Sequence, residues 1–114
     1  MRFETVPEMS VSAASVAVEV GAVLLDVREE FEWERGHAPQ ALHIAMSELG
    51  ERSEELPTDR TIVCVCHIGG RSAMVVEALN RGGWQAVNVV GGMEAWAAAG
   101  LPVVDDAGQP GVVV

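Results

Sequence analysis

The stretch Ile62–Leu79, "IVCVCHIGGRSAMVVEAL", decides the fold. Its first part belongs to "TIVCV" (Thr61 to Val65), a continuous apolar, β-branched run of the kind that forms a strand buried on both faces. Its last part belongs to "RSAMVVEALNRGG", a helix that starts near Arg71 or Ser72. That helix places Val75, Val76 and Leu79 on one apolar face and stops at Gly82 and Gly83. Between the two lie Cys66 and "HIGG". Strand, glycine loop and helix make one unit of a parallel sheet, and ligands of such sheets bind outside the carboxyl ends of the strands. Cys66 falls there.

Working outward, the same alternation continues. "RFETV" (Arg2 to Val6) reads as a short first strand. "SVSAASVAVEVG" (Ser10 to Gly21) reads as a small-residue helix with Ser10 or Ser12 as its cap and Gly21 as its stop. "AVLLDVR" (Ala22 to Arg28) is a second buried strand, and "ALHIA" (Ala41 to Ala45) a further short one. Ser47 is placed to cap a brief helix reaching Glu51, and Pro57 with Asp59 makes a turn. Downstream, a strand is predicted around Ala86 to Val90, and a last helix over "MEAWAAAG" (Met93 to Gly100). The tail, residues 105–114, is turn-rich, with final valines that either add a strand or pack. The expected fold is α/β: one domain over residues 1–114, a mostly parallel sheet with helices on both faces.

The chain has 114 residues, 49% of them hydrophobic, enough for one substantial core. Its net charge is −10, with glutamates dense in "REEFEWER" (Arg28 to Arg35) and "ELGERSEEL" (Glu48 to Leu56). That balance argues against nucleic acid or an anionic membrane as partner. No apolar run approaches the ~20 residues of a membrane span, and the N-terminus lacks the apolar core of a secretory signal. The expectation is a soluble cytoplasmic protein. Cys64 and Cys66 are the two cysteines, one residue apart. They make no disulfide framework, and with His67 as the sole nearby candidate ligand they make a poor zinc site. No metal or cofactor is expected.

The loop itself has a chemical logic. Gly69 and Gly70 permit positive φ and close backbone approach. Such a loop can curl so that successive N–H groups form an anion-binding nest, and the following helix adds the positive end of its dipole. Arg71 adds a full charge with bidentate geometry. Helix N-termini and cations of this kind lower a cysteine pKa from about 8.5 into a range of roughly 3.5 to 7.5. Cys66 therefore reads as a stored thiolate nucleophile, and either the species bound beside it or the nucleophile's own product as anionic.

With these residues in view, the chain resembles the rhodanese family of sulfurtransferases. "CHIGGR" resembles the family's Cys-x-x-Gly-x-Arg active loop. "DVREEFEWERGHAPQA" (Asp26 to Ala41) is similar to its Asp-x-Arg, Glu and Gly-His-x-Pro-x-Ala signature, and "GGMEAWAAAGLPV" (Gly91 to Val103) to its Gly-Gly, Trp, Gly-x-Pro ending. The three blocks cover almost the whole chain, in order, and match the single-domain form. The resemblance implies a parallel five-stranded sheet between helices. It also implies covalent catalysis in two half-reactions. The Cys66 thiolate takes the outer sulfur of a small anionic donor, thiosulfate or a related compound, and holds it as a persulfide. An acceptor, cyanide or a thiol (a protein thiol among them), then removes it. The N–H groups of His67, Ile68, Gly69, Gly70, Arg71 and Ser72 would cradle the terminal sulfur. Arg71 would hold the donor's anionic part or orient the loop.

Cys66 to Arg71 counts Cys-x4-Arg, where related phosphatases and arsenate reductases resemble Cys-x5-Arg; the smaller cup suits one sulfur. The chain departs from the family in "GHAPQA", with Ala38 and Gln40 where Ile and Gly are common. It departs again at His67, where Arg or another polar residue is common, and this opens the identity of the donor. Several residues carry two readings. Asp26 and Arg28 pair either as a structural ion pair at the strand end or near the active face. Glu32 and His37 are expected to tie the "ERGHAPQA" loop to the fold, and Arg35 either lines the pocket mouth or is solvated. Cys64 is either a small core residue or a resolving thiol on the same side as Cys66. His67 is a proton donor, a gate or an exposed loop residue. Trp33, Trp84 and Trp96 are expected to pack. The alternatives to an enzyme are a non-catalytic binding module and a redox sensor using Cys64 and Cys66.

Overall fold

The computed structural model describes residues 6–114. "TIVCV" forms β4 (Thr61–Val65), buried from Ile62 onward. It lies at the centre of a five-stranded sheet with β1 (Glu8–Met9), β2 (Val23–Asp26), β3 (Leu42–His43) and β5 (Gln85–Val89) in the order β1-β5-β4-β2-β3. Every pairing is parallel: Leu25 stands beside Cys64, and Cys64 beside Asn88. The period of two along β4 splits the core. Ile62 and Cys64 face one side with Leu25, and Val63 and Val65 face the other with Leu24. Helix α4 (Gly70–Arg81) covers the first side through Val75, Val76 and Leu79, together with Leu49 of α3 (Leu49–Arg52). Helices α1 (Val11–Glu19) and α5 (Gly92–Ala98) cover the second through Ala14, Met93 and Trp96.

The structure corrects several sequence expectations. The strand expected at Arg2–Val6 falls, up to Thr5, outside the described residues; the first strand is Glu8–Met9, in register with Asn88 and Val89 of β5. Ser10 caps α1 as expected, accepting the Ala13 N–H at 3.1 Å. Ser47 caps nothing: it lies inside a 3₁₀ turn (Met46–Glu48) that runs into the single turn of α3 and a second 3₁₀ turn (Ser53–Glu55). The acidic "EFEWER" forms a helix, α2 (Glu30–Arg35), which its charge pattern had concealed. The Glu32 carboxylate reaches back to accept the Glu29 N–H at 3.0 Å, one half of a capping box. The tail forms no strand. Val104 bridges His37 and Pro110, and the Val112 N–H bonds the Arg35 carbonyl at 2.9 Å.

At the end of β2 the Arg28 guanidinium folds back onto Asp26. Arg28 Nη2 donates to Asp26 Oδ2 at 2.8 Å and to the Gly36 carbonyl at 2.6 Å, and Arg28 Nε donates to Asp26 Oδ1 at 3.0 Å. Both side chains are fully buried, and Arg28 Nη1 has no partner. The pair thus spans the turn from β2 into α2 and reaches the Gly36 end of that helix. Trp84 and Trp96 pack as expected, each with its indole N–H on a backbone carbonyl, Leu56 and Pro102 respectively. Trp33 instead stacks on two rings, His37 at 3.6 Å and His43 at 4.8 Å between centroids. Asp26→Ala, which leaves the Arg28 charge buried and unpaired, is expected to cost about 3–5 kcal/mol of stability. Urea unfolding measures it, and a loss under about 1 kcal/mol would show that water already reaches Arg28.

Candidate active site

Cys66 follows β4 directly and is 1% exposed. It forms the floor of a pocket of about 410 Å³ whose walls are His67, Ile68, Gly70 and Arg71. Gly69, the N-cap of α4, has φ of 117°, a left-handed conformation that glycine adopts without a Cβ penalty. Its N–H donates to Cys66 Sγ at 3.1 Å. Gly70 lies at ordinary φ as the first residue of α4, so the expectation of two special glycines holds for one of them.

The loop is held from behind. The N–H groups of Met93 and Glu94 donate to the carbonyls of Cys66 and His67 at 2.8 and 3.0 Å. Across trans peptides the N–H groups of His67 and Ile68 therefore point away from α5. Gly92 makes this docking feasible. It sits at φ of 57°, and a Cβ there would collide with the Cys66 and His67 carbonyls. The Gly-Gly of "GGMEAW" thus has a steric reason to exist.

Burial works against ionisation of Cys66. The Ser72 hydroxyl and the backbone N–H groups of Ser72, Gly69 and Arg71 outweigh it, so the thiol titrates below its ordinary value. Cys64 behaves oppositely. It is fully buried, and burial together with the nearby Cys66 charge pushes it up to about 12. It shares the Cys66 side of the sheet, as alternation implies, but sits among core side chains as a neutral thiol.

Sequence reading missed the partner that completes this network. Ser72 Oγ lies 3.2 Å from Cys66 Sγ and 2.6 Å from Asn88 Oδ1. Asn88 Nδ2 donates to the Gly69 carbonyl at 3.1 Å, which fixes the amide with its oxygen toward Ser72. One hydroxyl proton thus has three acceptors in reach: the sulfur, the carboxamide oxygen and, at 3.3 Å, the Gly69 carbonyl. Asn88 lies on β5, sixteen residues from Ser72, and its one sequence signal is a polar residue inside an apolar strand.

Arg71 does not point free into the pocket. Its fork holds Glu32 through Nη1 to Oε1 at 2.7 Å and Nη2 to Oε2 at 3.0 Å. The bonds from Arg71 hold the Glu32 carboxyl below its usual range despite burial, and the Arg71 pKa rises for the same reason. Glu32 thus ties α2 to the active loop as well as to its own helix start. His67 Nε2 lies 3.0 Å from Glu94 Oε2, a second contact from α5 that the sequence reading did not foresee. Asp26, Arg28 and His37 lie outside the pocket lining. His37 is buried, with Nδ1 2.7 Å from the Trp33 carbonyl, and Arg35 is exposed.

The comparisons place this parallel α/β domain, with its low-pKa cysteine between a central strand and a helix, in a family. A family model described as "Rhodanese-like domain" matches residues 11–99. The chain belongs to the rhodanese-like family. It is 40% identical over 93 residues to a Bacillus subtilis protein named "Putative sulfurtransferase YtwF", covering 80% of this chain and 90% of that protein. It is 37% identical over 83 residues to a "Sulfurtransferase" of Allochromatium vinosum, covering 72% and 78%. A rhodanese-related protein from Thermoplasma volcanium superposes with a TM-score of 0.81 at 34% identity, over 86% of this chain and 97% of that one.

The shared proton gives a test of the site's wiring. Ser72→Ala is expected to move the pH midpoint of Cys66 alkylation by iodoacetamide upward, since a donor to the thiolate is lost. Asn88→Ala is expected to move it downward by removing a competing acceptor, and to do nothing in the Ser72→Ala background. Equal shifts in both backgrounds would show that Asn88 does not act through Ser72.

Proposed function

We propose that this domain moves a sulfane sulfur from a donor to a thiophilic acceptor through a persulfide on Cys66. The observation that carries the reading is the convergence of the Gly69 N–H and the Ser72 hydroxyl on a single sulfur at 3.1 and 3.2 Å. Such donors stabilise a resting thiolate and, one bond further out, a persulfide anion. In the first half-reaction the Cys66 thiolate attacks the outer sulfur of thiosulfate or a related donor. The new Sγ–S bond forms as the donor's bond to that sulfur breaks: the S–S bond of thiosulfate or a polysulfide, with sulfite or the shortened polysulfide leaving, or the C–S bond of 3-mercaptopyruvate, with pyruvate leaving. In the second, cyanide or a thiol attacks that outer sulfur and Cys66 returns as thiolate. The electron pairs balance without an external oxidant, and ping-pong kinetics follow.

In this reading the backbone from His67 to Ser72 cradles the outer sulfur, and Arg71, pinned by Glu32, orients the loop. Asp26, Arg28 and His37 support the site from the fold. The x4 loop favours one sulfur over a tetrahedral phosphate. Neutral, buried Cys64 speaks for a core role and against the redox alternative. Among the described residues no helix is long and apolar enough to cross a membrane.

Intact mass after incubation with thiosulfate, 3-mercaptopyruvate or polysulfide is expected to show one added sulfur, lost on addition of cyanide. Cys66→Ala should lose sulfur transfer by about a thousandfold or more, and folded Cys64→Ala should retain most of it. Equal loss in the two variants would rule out a single-nucleophile scheme.

A further inference from the structure

On the face where α3 and α4 lie side by side there is an open apolar trough of about 430 Å³. Buried Leu49, Val75 and Leu79 and half-buried Met46 and Trp84 form its floor. Gly50 and Ser53 edge it on one side, Met74 and Ala78 on the other, and among the described residues no charged side chain lines it. Met74 is 65% exposed, a flexible apolar side chain standing in water at the edge. Nothing within this chain requires glycine at position 50. The residue lies inside α3 without a left-handed φ, and among the described residues no atom comes within 4 Å of where its Cβ would stand. Glycine there weakens its helix relative to alanine. The effect of the missing side chain is to keep the trough open. The ground beside it is acidic. Glu48, Glu51, Glu54 and Glu55 are exposed, and Arg52, the cation among them, is spent on Glu55 at 2.8 Å and Glu48 at 3.5 Å. Among the described residues neither Glu51 nor Glu54 has a cationic partner. The α4 wall offers side chains only, since its backbone groups are bonded within the helix. An occupant must therefore satisfy its own backbone polar groups, and a helix does so.

We propose that the trough between α3 and α4 is a docking surface for a partner protein, and that it takes an amphipathic helix whose apolar face is flanked by Lys or Arg. Apolar anchors at helical spacing enter over Leu49, Val75 and Trp84, and the flanking cations meet Glu51 and Glu54, the residues that follow Gly50 and Ser53. Charge argues against a second copy of this chain as the occupant, since that copy would bring a further −10 against the same acidic ground. Gly70, Met74 and Ala78 recur every four residues and so share one face of α4. Gly70 lines the Cys66 pocket, and Met74 and Ala78 line the trough. A partner seated there stands beside the mouth of that pocket. The inference concerns a different surface from the sulfur-carrier reading and does not rest on it.

The test uses the full chain and three designed peptides of about 18 residues, roughly five helical turns. The first carries leucines at the i, i+3, i+4 and i+7 spacing with lysines beside them. The second keeps the leucines and replaces each lysine with glutamate. The third keeps the lysines and replaces each leucine with serine. Binding is followed by amide chemical shifts of the isotope-labelled chain. The first peptide is expected to shift Gly50, Ser53, Met74 and Ala78, and to bind about tenfold or more tightly than either control. Gly50→Leu, whose side chain enters the open trough, is expected to weaken it by about tenfold or more with the rest of the amide spectrum unmoved. Met74→Gln, at an exposed position, repeats the test should Gly50→Leu fail to fold. Glu51→Gln/Glu54→Gln is expected to lower both the affinity and its dependence on NaCl. Shifts centred elsewhere, equal affinity for the three peptides, or full affinity in folded Gly50→Leu and Met74→Gln would overturn the proposal. So would a dimer in sedimentation velocity that Gly50→Leu dissolves, since the trough would then belong to a second copy. Saturation of the trough by a neutral apolar dye, N-phenylnaphthylamine, with no response to the first peptide would assign it to a small ligand instead. Cys66→Ala is expected to bind the first peptide as the parent does, so failure of the sulfur-carrier reading leaves this result standing.

Discussion

Where β4 ends, its backbone leaves the sheet ladder, and the bonds made by the next two carbonyls govern the site. The Met93 and Glu94 N–H groups take the carbonyls of Cys66 and His67. With those oxygens engaged on α5, the loop is held at its back, and Gly69 in its left-handed conformation turns its amide onto the sulfur. Removing this constraint would leave two buried carbonyls without partners and the loop without a fixed curl. The absence of a Cβ at Gly92 is what permits the approach.

Two polar networks converge on this loop from opposite sides of the sheet order. From the β5 side, Asn88 holds the Gly69 carbonyl and shares the Ser72 proton with Cys66. From the β2 side, Glu32 of α2 clamps Arg71. Helix α2 is in turn placed by the buried Asp26–Arg28 pair, whose guanidinium also takes the Gly36 carbonyl at the end of that helix. The Cys66 thiol and its loop are thus held by groups from three separate segments, each seated by ordinary packing and hydrogen bonding. The cost of burying the sulfur is offset by donors whose own geometry is fixed.

The two cysteines show how position alone separates chemistry from packing. They are one residue apart and on one side of the sheet. Cys64 is enclosed within β4, where nothing stabilises an anion, and its thiol is pushed up to about 12. Cys66 lies just past the strand, where the ladder has ended and amides are available, and its thiol moves down. Membership of the rhodanese-like family places this chain among proteins with sulfurtransferase-named relatives.

Much of this was legible in the sequence. The apolar runs at Ile62–Val65 and Ala22–Leu25 pointed to a doubly covered parallel sheet, because such strands have no polar face to give to water. The glycines and the helix after Cys66 placed the cysteine at the strand's carboxyl end, because local periodicity and glycine chemistry act over a few residues. Helix α2 escaped notice because it is short and acidic, and it is held by the Glu32 contact to the Glu29 N–H and by its clamp on Arg71. Asn88 and Glu94 escaped because their partners lie sixteen and twenty-seven residues away. Only the parallel register, which sets Asn88 beside Cys64, and the seating of α5 behind the loop bring them to the sulfur. The sequence determined that a cysteine would stand at the carboxyl end of a central strand, before a glycine loop and a helix. The tertiary structure decided the charge around it, because Arg71 and His67 meet their carboxylates only when α2 and α5 close over the loop.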